Sequence, residues 1–144
     1  MDISTIFENE ELLVINKPYG VVVNRAESAK GETVQDWIDS IAPPTAGLQN
    51  DEFISRSGIV HRLDKDTSGI LVIAKNPESF EILKNQFKER KVVKKYLTLV
   101  HGELEPKEGE INAPIERSPV NRMHFGVFPG GREATTKYKV LKYL

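Results

Sequence analysis

An α+β fold, a largely antiparallel mixed sheet with flanking helices, is what the sequence predicts. Short β-branched runs outnumber the helix-like stretches. Those stretches stand unevenly among the strands instead of alternating with them, and turn signals separate most of the runs. At 144 residues the chain suits one domain, long enough to bury roughly two thirds of its unfolded surface.

Residues 11–16 (ELLVIN) form a short apolar run closed by the turn signal Lys17-Pro18-Tyr19-Gly20, with Val21-Val22-Val23 as the returning strand. Thr33 and Asp36 make an approximate capping box, and Val34, Trp37, Ile38 and Ile41 recur at helical spacing. Pro43-Pro44 ends that helix, and residues 45–58 read as a polar surface loop. Ile59-Val60 enters a polar turn over 61–68. The β-branched run 69–74 (GILVIA) follows, expected as a strand buried on both faces. Asn76 before Pro77 is a helix start, and Phe80, Leu83 and Phe87 mark one face of a helix reaching Arg90, with Ile82 flanking it. A strand over 92–101 ends at Gly102. Further strands fall near 110–115, 124–128 and 135–144, separated by Pro119 and by Pro129-Gly130-Gly131.

Hydrophobic residues make up 39% and charged residues 28%, which sets the chain apart from disordered sequences. No apolar run reaches the ~18 residues of a membrane span. Residues 1–6 lack the basic and apolar regions of a signal peptide. The absence of cysteine excludes disulfides, thiol catalysis, iron–sulfur clusters and cysteine zinc sites. The expectation is a cytoplasmic protein without a membrane partner. The net charge of −1 hides a polarity along the chain: −5 over residues 1–40, −2 over 41–83 and +6 over 84–144. The densest basic stretch, 84–95, holds Lys84, Lys88, Arg90, Lys91, Lys94 and Lys95 against Glu89. It suits phosphate neutralisation or, more blandly, a solvated helix end.

The segment His61-Arg62-Leu63-Asp64-Lys65-Asp66-Thr67-Ser68-Gly69 places a carboxylate in a tight polar loop between apolar runs. Thr67 and Ser68 can bond the loop's own backbone, and Gly69 permits the sharp turn into the next strand. Arg62 and Lys65 flank Asp64, which favours an ionised carboxylate available as a nucleophile. On spacing alone, a structural Asx-turn is the commoner use of Asp64 or Asp66. Taken singly, Tyr96 reads as a half-buried strand tyrosine and Arg62 as an ion-pair partner. His61, His101 and His124 lack metal-ligand spacing and read as structural, so no metal is expected.

The string HRLDKDTSGILVIAKN resembles the signature of RluA-type pseudouridine synthases, H-R-L-D-x-x-T-S-G followed by an apolar strand. EELLVINKPYG is similar to that family's opening strand and K-P-x-G turn. Lys95-Tyr96 within VVKKYLTLVHG resembles the segment that supplies its active-site tyrosine, and GGREATTKYKVL its A-x-T-x-Y-x-V strand. The matches follow the family's order across residues 7–144. His61 and the Ser68 after Thr67 fit this group rather than the small-subunit relatives, where a glycine and Thr-Glu-Gly are usual.

The resemblance implies the catalytic fold of the pseudouridine synthases and a cofactor-free isomerisation of specific uridines in rRNA or tRNA. Asp64 matches the catalytic aspartate, acting by covalent attack or through a glycal. Tyr96 matches the residue that stacks on the target base and takes part in proton removal at C5. Arg62 matches the arginine linked to base flipping, and Lys88, Lys91 and Lys94 would contact RNA phosphates. Extruding a base costs a few kcal/mol, and stacking on a tyrosine returns about 1–3 kcal/mol.

Relatives continue past the A-x-T-x-Y-x-V strand into T-G-R-x-H-Q-I-R and G-D-x-x-Y segments, neither of which occurs here. A second active-site arginine belongs to that portion. The expectation is a partial catalytic domain over 1–144, without its C-terminal portion and without an S4-type module, in a protein that is a monomer when complete. Three rival readings stand beside it. One is a non-catalytic RNA-binding remnant. An aspartyl-phosphate phosphotransferase is the second, its spacing spoiled by Asp66. A glycosidase is the third; Asp64 and Asp66 could serve as its paired carboxylates, but nothing marks a sugar cleft.

Overall fold

The computed structural model describes residues 1–27, 29–41, 50–122 and 124–144. Two units are distinguished, Met1–Lys95 and Tyr96–Leu144. In chain order the first holds β1 (Ser4–Glu8), β2 (Leu12–Lys17), α1 (Val34–Ile41), α2 (Asp51–Ser55), β3 (Gly69–Ala74) and α3 (Pro77–Lys88). The second holds β4 (Glu108–Arg117), β5 (Phe125–Val127) and β6 (Arg132–Lys139). Mixed helix and antiparallel strand is the α+β class that the sequence predicts.

In the first unit the sheet order is β1-β2-β3, antiparallel throughout. The pairs Leu13↔Ile73 and Ile15↔Leu71 put four apolar side chains on one face, where they pack with Val34 and Ile38 of α1. The other face presents Ala74, which joins Phe53 of α2 and Phe80 of α3. The sheet is thus covered by α1 on one side and by α2 and α3 on the other. The strand β3 is not buried on both faces along its length: Leu71 and Ile73 are buried, but Ile70 is 61% exposed. The helices cover the Ala74 end of that face and leave the Ile70 end open.

Capping explains the helix starts. Thr33 and Asp36 form a reciprocal box: the Thr33 N–H donates to Asp36 Oδ2 (2.9 Å), and the Asp36 N–H donates to Thr33 Oγ1 (3.2 Å). The Thr33 hydroxyl, which donates to Asp36 Oδ2 at 2.7 Å, together with Arg25 and the Thr33 N–H, holds the Asp36 carboxyl down at about 2. Asn76 caps α3 by accepting the Ser79 N–H at 2.9 Å, with Pro77 in the first turn.

Several expectations are corrected. The triplet Val21–Val23 is not a strand, because the carbonyls of Val22 and Val23 accept the N–H groups of Val34 and Gln35 at the start of α1. Part of the supposed loop 45–58 is helical: Asn50 accepts the Phe53 N–H at 2.9 Å and starts α2. The helix end at Pro43-Pro44 and residues 45–49 lie outside the described residues. The run 92–101 forms no strand; among the described residues no ladder reaches it, and Val93, Leu97 and Leu99 are 83%, 86% and 80% exposed. A β-branched run without a partner strand has nothing to pair with. The last strand, β6, stops at Lys139 rather than at 144.

In the second unit β4 lies between β5 and β6. Antiparallel register puts Ile111, Ala113 and Ile115 on one face, opposite Thr136, Ala134 and, across the other edge, Val127. The opposite face carries Glu108–Lys139 (2.7 Å) and Glu110–Lys137 (3.6 Å) ion pairs, and a Thr135 Oγ1–Asn112 Oδ1 bond (2.6 Å).

Candidate active site

The polar loop 61–68 joins Val60 to β3. Gly69, at φ +127°, makes the sharp entry into the strand that a side chain would strain. On the loop's upstream side, Gly58 accepts the Ala74 N–H at 3.0 Å, and Ile59 bridges to Ile73. Gly58 itself (φ +73°) has no room for a Cβ, which would stand 2.0 Å from the Ala74 carbonyl oxygen. Backbone pairing therefore delivers the chain to the loop along the free edge of β3.

The loop is then held at three points. The imidazole of His61 accepts the Val72 N–H through Nε2 at 3.0 Å, and its ring stacks on Phe87 at 4.4 Å and 18°. Burial, with Lys94 as a lesser cause, pulls His61 down to about 4, so the ring is neutral at pH 7 and Nε2 is free to accept. The Lys65 carbonyl accepts both the Gly20 N–H (2.9 Å) and the Lys17 ammonium (3.2 Å). The Asp64 carbonyl accepts the Thr67 N–H at 3.1 Å, closing the turn.

Lys17 is the residue that sequence reasoning missed here. It is fully buried, and its ammonium also donates to the carbonyls of Pro18 (2.9 Å) and Val21 (2.7 Å). Burial lowers its pKa; the carboxylates of Asp66 and then Asp64 act in the opposite direction. Its signal was present in the alternation Leu13, Ile15, Lys17, the buried row of β2.

The sequence-derived candidates divide as follows. Arg62 and Asp64 share the loop, flank the buried Leu63, and are both exposed. Among the described residues neither Arg62 nor Lys65 forms an ion pair with Asp64, and neither Asp64 nor Asp66 accepts a backbone N–H in an Asx-turn. The hydroxyls of Thr67 and Ser68 likewise do not bond the loop; the Thr67 backbone does that work. Lys88 ends α3, and Lys91 and Lys94 follow it, Lys94 close enough to influence His61. Within that basic stretch Lys84 is already paired with Glu52 (2.8 Å) and Glu81 (2.7 Å), and Lys91 with Glu89 (2.6 Å). Tyr96 opens the second unit; it is not a half-buried strand tyrosine but 63% exposed, in a segment without strand.

Comparison with known proteins places nearly the whole chain in one family. A family model described as RNA pseudouridylate synthase matches residues 11–144. The chain is 41% identical over 140 residues to an RNA pseudouridine synthase of Aquifex aeolicus, covering 97% of this chain and 43% of that protein. It is 40% identical over 137 residues to ribosomal large subunit pseudouridine synthase D of Nitrosomonas europaea, covering 95% of this chain and 38% of the relative. The solved structure of human RNA pseudouridylate synthase domain containing 4 superposes with a TM-score of 0.70 at 23% identity, covering 97% of this chain and 54% of that one, which speaks to the fold. The chain thus spans less than half the length of these two sequence relatives. Because that family model covers residues 11–144, well over half of the chain, the chain belongs to the RNA pseudouridylate synthase family.

Proposed function

We propose that residues 1–144 form part of the catalytic domain of a cytoplasmic enzyme, a monomer when complete, that isomerises uridines of ribosomal RNA to pseudouridine. In that reaction the bond from N1 of the base to C1′ breaks, the uracil turns within the site, and C5 bonds to C1′. The proton on C5 then leaves to restore the ring. Asp64 is the catalytic carboxylate, Arg62 assists extrusion of the base, and Tyr96 stacks on it and serves proton removal at C5. The cationic Lys88, Lys91 and Lys94 meet phosphates, Lys91 by giving up its exposed pair with Glu89.

The observation that carries the reading is the state of Asp64. Its backbone is fixed by the Thr67 turn, its neighbour Lys65 is held by two donors, and its side chain is exposed and committed to no partner among the described residues. A loop that is rigid while its acid is free meets the need of a group that must reach a sugar carbon or proton. The ribosomal substrate is taken from the name of the Nitrosomonas relative.

The test is tritium release from RNA labelled at C5 of uridine, with RNA affinity measured in parallel. Wild-type chain, as part of a domain, should release tritium slowly but measurably, and Asp64→Asn should fall to background while binding RNA within about twofold of wild type. RNA binding without release by the wild-type chain would favour a non-catalytic RNA-binding role. Turnover by a folded Asp64→Asn would overturn the assignment of that residue.

A further inference from the structure

The free edge of β3 is finished in two different ways. Ala74 and Val72, two residues apart, turn their N–H groups to the same side of the strand, away from β2. Ala74 donates to a backbone carbonyl, that of Gly58, as in an ordinary antiparallel ladder. Val72 instead donates to a side chain, His61 Nε2 at 3.0 Å. Between the two, at Val60, the chain has already left the strand. The imidazole stands where the next ladder carbonyl would have been, and it does so three residues before Asp64.

We propose that His61 is a positioning residue for Asp64: by taking the Val72 N–H in place of a strand carbonyl, it sets the point and direction at which the catalytic loop departs from the sheet. The proposal rests on the reading of Asp64 given above. Three features of the site support it. The bond is made by a nitrogen lone pair, so it requires the neutral ring that burial enforces. Stacking on Phe87 of α3 fixes the ring plane and leaves only a narrow range for Nε2. Downstream, the loop is anchored at Lys65, beyond Asp64, by Gly20 and Lys17. The aspartate is therefore strung between two fixed posts, and His61 is the upstream one.

Two substitutions in the full chain separate positioning from packing. His61→Gln keeps an acceptor at about the reach of Nε2; His61→Leu keeps apolar contact with Phe87 and offers none. Amide hydrogen exchange of Val72, referenced to Ala74, reads the bond itself, and single-turnover tritium release alongside RNA affinity reads its consequence. In His61→Leu, Val72 should exchange about tenfold faster relative to Ala74. Its turnover should fall at least about tenfold with RNA affinity unchanged, and His61→Gln should restore both. Equal behaviour of the Gln and Leu variants, or unchanged Val72 exchange in His61→Leu, would overturn the proposal. So would a loss of RNA affinity that accounts for the whole fall in turnover. Should wild-type chain release no tritium, the functional reading fails on its own; the Val72 contrast, with the Asp64 amide resonance shifting in His61→Leu and returning in His61→Gln, still decides whether His61 positions the loop.

Discussion

Lys17 shows how one side chain can tie a turn to a distant loop. A buried ammonium loses several kcal/mol of hydration, and hydrogen bonds from a charged donor return about 1.5–3 kcal/mol each. Three carbonyl acceptors, those of Pro18, Val21 and Lys65, therefore bring the balance near zero. What the residue contributes is connection: Lys65 lies 48 positions away, beside Asp64. Its titration gives a signed test. The unfolded chain holds this proton up to about 10.5, whereas burial makes the folded chain release it earlier. Between those two values the unfolded state binds more protons, so stability rises with pH across that window. Wild type measured against Lys17→Met by urea unfolding should therefore gain as pH climbs toward 10.5. A flat or falling difference would mean that the ammonium is better solvated than its carbonyl cage implies. In the sequence, Lys17-Pro18-Tyr19-Gly20 read as punctuation, because a turn motif and a buried cation look alike until the strand register is known. The motif singled out Asp64 and Arg62 as candidates, but the anchors that fix their loop come from residues far apart in the chain.

At the scale of elements, α3 ends in a way that its sequence does not favour. Arg90 sits at φ 57°, where glycine is the usual choice. The Lys91 N–H reaches the Gln86 carbonyl (2.9 Å) and the Arg90 N–H that of Phe87 (3.2 Å), a Schellman closure built on an arginine. Left-handed backbone costs an ordinary residue roughly 1–2 kcal/mol, and part of the relief on changing it to glycine is lost to the freer unfolded chain. Arg90→Gly should accordingly stabilise the protein by about 0.5–1 kcal/mol in urea unfolding; destabilisation would assign the arginine side chain a packing role that outweighs its backbone. The elements that the sequence disclosed are those with local signals. The capping box of α1, the Asn76-Pro77 start of α3 and the apolar runs of β2 and β3 each depend on neighbours within a few residues. The elements missed or misread depend on distant partners. β1 is exposed at every position and exists because β2 pairs with it. Val21–Val23 has strand propensity but gives the carbonyls of Val22 and Val23 to α1. Residues 92–101 have the propensity too, with no strand beside them among the described residues.

Across the whole molecule, burial and charge are distributed differently. All the buried apolar side chains among the described residues belong to the unit Met1–Lys95, whereas the positive charge gathers from residue 84 onward. The net charge of −1 would suggest indifference to RNA, yet at physiological salt charges act over only about 8 Å. A phosphate brought to the end of α3 would therefore respond to the charges within that distance and not to the net charge of the chain. The ion pairs make this testable lysine by lysine. Lys84 is spent on Glu52 and Glu81, while Lys88 and Lys94 have no ion-pair partner among the described residues. Each phosphate contact contributes about 0.7–0.9 to the slope of log affinity against log salt. Lys88→Ala and Lys94→Ala should each reduce that slope by about this amount, and the two together by about twice as much. Lys84→Ala removes the same formal charge but should leave the slope where it was, because in the folded protein its charge is already matched by two carboxylates. Titrating RNA binding of the three variants from 50 to 200 mM salt, roughly the range over which phosphate-driven affinity collapses, gives the comparison. An equal loss of slope in Lys84→Ala would show that RNA senses the summed charge of the segment rather than particular contacts; no loss in Lys88→Ala and Lys94→Ala would make the stretch a solvated face.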